Sequence, residues 1–217
     1  MASSSSAEAA APTPTPTTPP RALPLAGRTA IVTGASRGIG RAIAAHLASL
    51  GADVVLGYSS SPAQAELLAA ELNSSASGRA VPVRADVSDP AAVAALFDGA
   101  EAAFGRPAHV LVACAGALSP GYAAYTASKA AVETMIRIMA KELKGTMITA
   151  NCVAPGPVAT ELFYAGKSEE AVQRLAAANP MGRIGEPTDI APVVGFLCSD
   201  DAAWVNGQVI RANGGYV

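Results

Sequence analysis

A tyrosine and a lysine four residues apart, Tyr125 and Lys129 in the run GYAAYTASKAAVETM, share one face if that run is helical. An ammonium beside a phenol favours loss of the phenol's proton, so the pair suits proton transfer to or from a substrate oxygen. Upstream, Gly34, Gly38 and Gly40 stand in the spacing Gly-x-x-x-Gly-x-Gly within TAIVTGASRGIGRAIAAHLASLGADVVLGY. Glycines in a turn that opens a helix let backbone N–H groups approach a pyrophosphate at the helix N-terminus. Each feature alone has an ordinary alternative, a surface helix or a tight turn. Together they point to a dinucleotide cofactor and a proton-transferring side chain.

Which dinucleotide is written at the end of the second strand. An NAD enzyme places an acid there to hold the ribose 2′-hydroxyl, whereas this chain reads Leu56-Gly57-Tyr58-Ser59. Asp53 lies at the other end of that strand, where a structural or solvent-facing role is expected. Arg37, with Ser59 opposite and Arg41 as a weaker candidate, would embrace a 2′-phosphate, because guanidinium matches phosphate geometry. NADP(H) is the expected cofactor.

The elements that must position these groups follow from pattern. Short apolar runs alternate with Ala-rich helical segments, the signature of repeated β-α-β units and a parallel sheet. Strands are predicted near 28–33, 53–57, 80–84, 109–114, 147–153 and 207–211, and helices near 38–50, 62–73, 89–104, 121–144, 168–178 and 187–198. Gly51, Gly105 and Gly145 fall just past helix ends, and Ser88 or Asp89 precedes Pro90 as a helix start. The expected fold is a single α/β domain over 27–217, a Rossmann-like doubly wound parallel sheet. Residues 1–26, Ser-rich and then Pro-Thr alternating, read as a disordered extension.

Composition excludes several function classes. With 51% hydrophobic residues, 15% charged and a net charge of −2, a sizeable core is available and nucleic acid is a poor partner. No apolar run reaches membrane-spanning length. Cys114, Cys152 and Cys198 lack metal spacing and read as small buried hydrophobes, and no metal site is expected. The opening MASSSS suits a plastid transit peptide, but Arg21 is the segment's only basic residue and Glu8 is acidic. A cytoplasmic location is therefore expected, with the plastid as alternative.

TGASRGIG at 33–40 combined with YTASK at 125–129 resembles a classical short-chain dehydrogenase/reductase, the resemblance running from about Gly27 to Val217. It is most similar to NADPH-dependent carbonyl or 3-oxoacyl reductases. The resemblance implies reduction of a small aldehyde or ketone to an alcohol, with Tyr125 as proton donor and Lys129 holding the nicotinamide ribose. It also implies a cofactor contacted by Gly34, Ser36, Arg37, Gly38, Ile39, Gly40 and Ser59. Asp86 and Val87 would meet the adenine, and Cys114, Ala115 and Gly116, at the end of the fourth strand, would also contact the cofactor. Pro155, Gly156, Val158 and Thr160, from APGPVAT, would wrap the nicotinamide end. The segment 161–185, with Leu162, Phe163, Tyr164 and Met181, would form a flap over the substrate. A homo-oligomer is implied as well, with an altered interface, because a helix that the family uses there has no counterpart in this chain.

The stretch VLVACAGALSPGYAAYTASK departs from the family pattern. The strand that should end Asn-Asn-Ala-Gly ends Ala113-Cys114-Ala115-Gly116, and eight residues separate Gly116 from Tyr125. A helix, a strand and two loops need about 25 residues or more, so one α-β unit is missing and six strands are expected in place of the family's seven. In the family that unit carries the catalytic asparagine and the serine that orients the carbonyl, so impaired activity is expected, with NADP(H) binding without catalysis or a non-functional splice product as alternatives. Ser119 is expected to serve a loop or cap, and Asn151, His46 and His109 to be structural. Pairing of the fourth and fifth strands would close the gap and slide the Tyr125 helix by about 4.8 Å.

Overall fold

The computed structural model describes residues 22–75, 78–116 and 122–216. Strand β1 (Thr29–Thr33) leads through helix α1 (Gly38–Ser49) to β2 (Asp53–Tyr58), α2 (Pro62–Ser74), β3 (Ala80–Arg84) and α3 (Pro90–Phe104). Then come β4 (Val110–Val112), α4 (Tyr122–Glu142), β5 (Cys152–Pro155), α5 (Glu161–Tyr164), α6 (Glu169–Ala178), α7 (Pro187–Leu197) and β6 (Val209–Ala212). All pairings are parallel, in the order β3-β2-β1-β4, with β5-β6 as a separate pair. This is the expected Rossmann-like α/β architecture.

The core explains the first four strands. β1 is buried throughout, and Val32, Val54 and Leu56 face α1 and α2 while Ile31 and Val55 face α3 with Leu96 and Phe104. Such two-sided burial is why these strands read as continuous apolar runs. α7 reaches back from the second half: its Ala191 and Val194 join the α1 core, and Gly195 gives the room His46 occupies. Burial lowers the His46 pKa, consistent with packing in place of chemistry. At the amino ends of the strands, Asp53 takes Arg79 in two hydrogen bonds, at 2.7 and 3.2 Å, and also pairs with Arg106. His109 Nδ1 accepts from Thr29 N–H at 3.1 Å. Asp53, His46 and His109 thus hold structural positions.

Four boundaries differ from the expectation. Leu25 is fully buried and its N–H donates to the Leu50 carbonyl at 2.8 Å, so packing starts upstream of Gly27; residues 1–21 lie outside the described chain. β4 ends at Val112, before Ala113, because Thr33 Oγ1 accepts the N–H groups of Cys114 and Ala115. β5 begins at Cys152, not near 147. Upstream of it, Asn206 Oδ1 takes the Ala150 N–H, Asn151 bridges Val205 and Gln208, and Met147 has φ 62°, so side chains replace a ladder there. α5 has no counterpart among the predicted helices; Thr160 caps it, Oγ1 accepting from Phe163 N–H at 3.1 Å.

The expected closure between β4 and β5 does not occur. Among the described residues β4 pairs only with β1, and β5 only with β6. The two halves are joined instead by α7 against α1, while α4 packs on β5 and brings Lys129 to Gly116 beyond the end of β4. Leu111 on β4 is 53% exposed, and Val132, Met135, Ile138 and Met139 of α4 face solvent.

Candidate active site

The phosphate loop is built by close backbone approach. Gly34 has φ +67°, and a side chain there would meet Ala115 Cα at 3.0 Å. Gly40 sits against the Gly34 carbonyl group, with its missing side chain's place 2.8 Å from the carbonyl carbon. Ser36 is buried and Ile39 packs on the core beneath the loop. The first turn of α1 carries no acidic residue and its N-cap, Arg37, makes no side-chain cap bond. Free N–H groups and the positive end of the helix dipole therefore face outward, a setting suited to phosphate.

A cleft of about 260 Å³ opens beside this loop, lined by Thr33, Gly34, Gly57, Tyr58, Ser59, Ala85, Asp86, Val87, Leu96, Ala115 and Gly116. Ser59, Asp86 and Val87 thus meet Gly34, Ala115 and Gly116 in one cavity at the carboxyl edge of the sheet, where open α/β sheets bind ligands. Asp86 is held by Ser88, whose N–H and hydroxyl both donate to Oδ1; these bonds lower its pKa. Sequence pattern does not single out Thr33, Gly57, Tyr58 or Leu96. Of these, Thr33 has a signal, a hydroxyl next to the first loop glycine, and it ties β4's end to that loop.

On the loop's far side, Thr160 stands over Gly38, its methyl carbon 3.3 Å from where a side chain would begin. A second opening there is lined by Gly38, Arg41, Thr160 and Glu161, among others. Val158 is buried and Ala159 N–H donates to Gly185 at 2.7 Å. Pro155 and Gly156 border neither cavity; Gly156 packs on Asn213. Arg37 pairs with Glu161 at 3.5 Å and Arg41 with Glu71 at 2.5 Å. Arg41 is thereby engaged with α2, and Arg37 remains the guanidinium at the loop.

Tyr125 and Lys129 lie on the first turns of α4. Lys129 Nζ stands 5.5 Å from the Tyr125 ring centre and close to Gly116, 3.8 Å from where a side chain on that glycine would begin. The pair therefore sits at the end of β4, beside the cleft, and the helix has not been drawn away by a closing sheet. Burial pushes the Cys114 thiol up, opposed by Lys129. It does the same to Cys152, with Glu133 adding and Lys129 opposing. These thiols are neutral packing groups, and the described residues hold no cluster suited to a metal ion. Asn151 is committed to Val205 and Gln208, so it supplies no catalytic amide. Ser119 lies outside the described residues, as does the Tyr122 side chain. No described helix is long and apolar enough to cross a membrane.

Residues 28–121 match the family model described as short chain dehydrogenase, and 112–217 that described as Enoyl-(Acyl carrier protein) reductase. An "NADPH-dependent aldehyde reductase-like protein, chloroplastic" of Arabidopsis thaliana is 46% identical over 259 residues, covering 90% of this chain and 96% of that one. A "Short-chain type dehydrogenase/reductase" of Picea abies is also 46% identical, covering 89% and 93%. Among solved structures, a hydroxysteroid dehydrogenase from Escherichia coli aligns with TM-score 0.84 at 29% identity, covering 90% of this chain and 98% of its own. The angucycline C-6 ketoreductase LanV with bound NADP aligns with TM-score 0.79 at 30% identity, covering 90% and 98%. About 195 residues of this chain are spread over the 259 positions shared with the Arabidopsis relative, so roughly 60 of those positions face gaps.

Proposed function

The chain belongs to the short-chain dehydrogenase/reductase family of oxidoreductases, and on that basis we propose that it binds NADP(H) and reduces a small aldehyde or ketone at a diminished rate. The observation that carries the reading is that Lys129 Nζ lies beside Gly116, which lines the cleft at the glycine loop, with the Tyr125 ring centre 5.5 Å from that Nζ. The names of the Arabidopsis relative and of the NADP-bound ketoreductase support the cofactor and the carbonyl chemistry.

The residues present fit the cofactor. Gly34 and Gly40 let the loop backbone close on Ala115 and on itself, which forms the tight turn that would present N–H groups to a pyrophosphate at the acid-free start of α1. Arg37 and Ser59 would hold the 2′-phosphate, and Asp86 and Val87 the adenine. The Arg37–Glu161 pair is exposed on both sides, and such pairs contribute about 0–1 kcal/mol, so Arg37 exchanges Glu161 for phosphate at little cost. When bound, NADPH supplies the hydride. Tyr125 gives the proton to the carbonyl oxygen, and Lys129 adds positive charge near the phenol and the ribose. No described residue supplies the family's carbonyl-orienting serine or its asparagine, and loose substrate placement by about 1 Å costs about 100-fold in rate.

The experiment is paired. Calorimetric titration is expected to show NADPH binding tighter than NADH, and NADPH oxidation with an aldehyde and ketone panel to show slow turnover that Tyr125→Phe removes. Absent NADPH binding would overturn the cofactor assignment, and turnover unchanged in Tyr125→Phe would overturn the role of the phenol. The opening between β4 and β5 favours one second reading, NADP(H) binding without turnover, which predicts binding alone. Both chloroplastic Arabidopsis relatives, at 46% identity, support placing the chain in the plastid, checked by an import assay.

A further inference from the structure

We infer that the opening between β4 and β5 is a docking slot for a parallel β-strand with its preceding helix, supplied by a second polypeptide carrying the unit this chain lacks. The inference rests on the family assignment and on the sheet, and is independent of cofactor binding.

Backbone alternation shows what the slot offers. His109 N–H donates to Thr29 at 2.8 Å, so the peptide groups of Val110 and Val112 turn away from β1 toward the opening. On the other side Cys152 N–H donates to Gln208 at 2.8 Å and Gly156 N–H to Ala212 at 3.2 Å, which turns Val153 away from β6. Among the described residues these edges have no second neighbour. A strand entering between them makes ladders on both sides, so strand addition joins two edges where ordinary edge binding joins one. Such edges are normally blunted by charge, proline or cover. On β5 the slot-facing residue after Val153 is Pro155, which offers only its carbonyl, whereas β4 carries neither charge nor proline and its Leu111 is 53% exposed. α4 packs one side inward, with Ala140 against Gly207.

The relatives identify the occupant. Both family matches meet within residues 112–121, where the sequence passes from β4 to α4. The Arabidopsis relative's roughly 60 unmatched positions are enough for one helix, one strand and their loops. The Escherichia coli structure aligns over 98% of its own length at a TM-score of 0.84, which supports a similar overall arrangement of elements in the two chains. The chain's own opening segment, MASSSSAEAAAPTPTPTTPP, does not qualify: its prolines lack the N–H a central strand donates.

The probe is the helix–strand unit of the Arabidopsis aldehyde reductase-like relative, made as a separate peptide and mixed with the full chain without cofactor. Amide hydrogen exchange at Val110, Val112 and Val153 is expected to slow by at least about tenfold, with a one-to-one complex in sedimentation. A peptide with prolines at alternate strand positions is expected to give no protection. Three results would overturn the inference: unchanged exchange in these strands, equal protection by the proline peptide, or protection that appears with chain concentration alone, which assigns the slot to a second copy. Because NADPH is absent, failure here leaves the cofactor reading standing, and failure of NADPH binding leaves the slot standing.

Discussion

Replacing Gly40 by alanine tests how the phosphate loop works. The new methyl would stand 2.8 Å from the Gly34 carbonyl carbon and closer still to its oxygen, whereas carbon atoms rest about 3.5–4.0 Å apart. The obstacle is backbone, so no side chain can swing aside; the loop and the start of α1 must part by about 1 Å. Overpacking of this kind costs about 1–3 kcal/mol. Since the loop is what meets the cofactor, most of that cost falls on binding, and NADPH affinity is expected to drop about 5- to 150-fold. Gly105→Ala is the companion variant. Gly105 has φ +69° with nothing within 4 Å of the new methyl, so the cost is the strain of a side-chain-bearing residue in the left-handed region, about 1–2 kcal/mol of stability, and NADPH affinity is kept. The assay is calorimetric titration beside urea unfolding for both variants. Gly40→Ala binding NADPH as tightly as the parent would refute the reasoning.

Asp53→Asn removes the charge shared by Arg79 and Arg106 at the strands' amino ends; with Asp53 only 7% exposed but both arginines partly solvated, urea unfolding is expected to show a loss of about 2 kcal/mol. Hydrogen bonds from Arg183 and from the Glu186 backbone lower Asp189 from 3.8 to about 2. A depressed carboxylate stabilises the fold above its unfolded value, and that contribution fades as pH falls from about 4 through 2. Asp189→Asn should remove this part of the acid-unfolding curve, seen by circular dichroism. Burial pushes Cys198 from 9.0 to about 11, against a smaller opposing effect of Arg28, so its iodoacetamide labelling at pH 8 should be about 100-fold slower than in urea.

β1 and β2 are legible in the sequence because their burial is two-sided, and the helices that follow because their ends are punctuated by Gly51, Gly105 and the Asp89 cap, which accepts from Ala91 N–H at 2.9 Å. β5 reads too early because TMITAN is apolar enough to look like strand, while the asparagines that divert its backbone act from 55 or so residues away. The short helix α5 has too few residues to show a period. Within the site, the glycine loop and the Tyr125–Lys129 pair are legible from spacing. The pairing of Arg37 with Glu161 and the anchoring of Cys114 by Thr33 are not, since both join segments more than 80 residues apart. The missing α-β unit shows as eight residues where a longer span is needed. That the sheet stays open there does not show, because it depends on helix packing elsewhere.

That packing is the clasp of α7 on α1, where Gly195 admits His46. It holds the second half of the chain on the first through contacts far in sequence from the passage between β4 and α4, so a change of length at that passage leaves the support of the glycine loop by α1 in place.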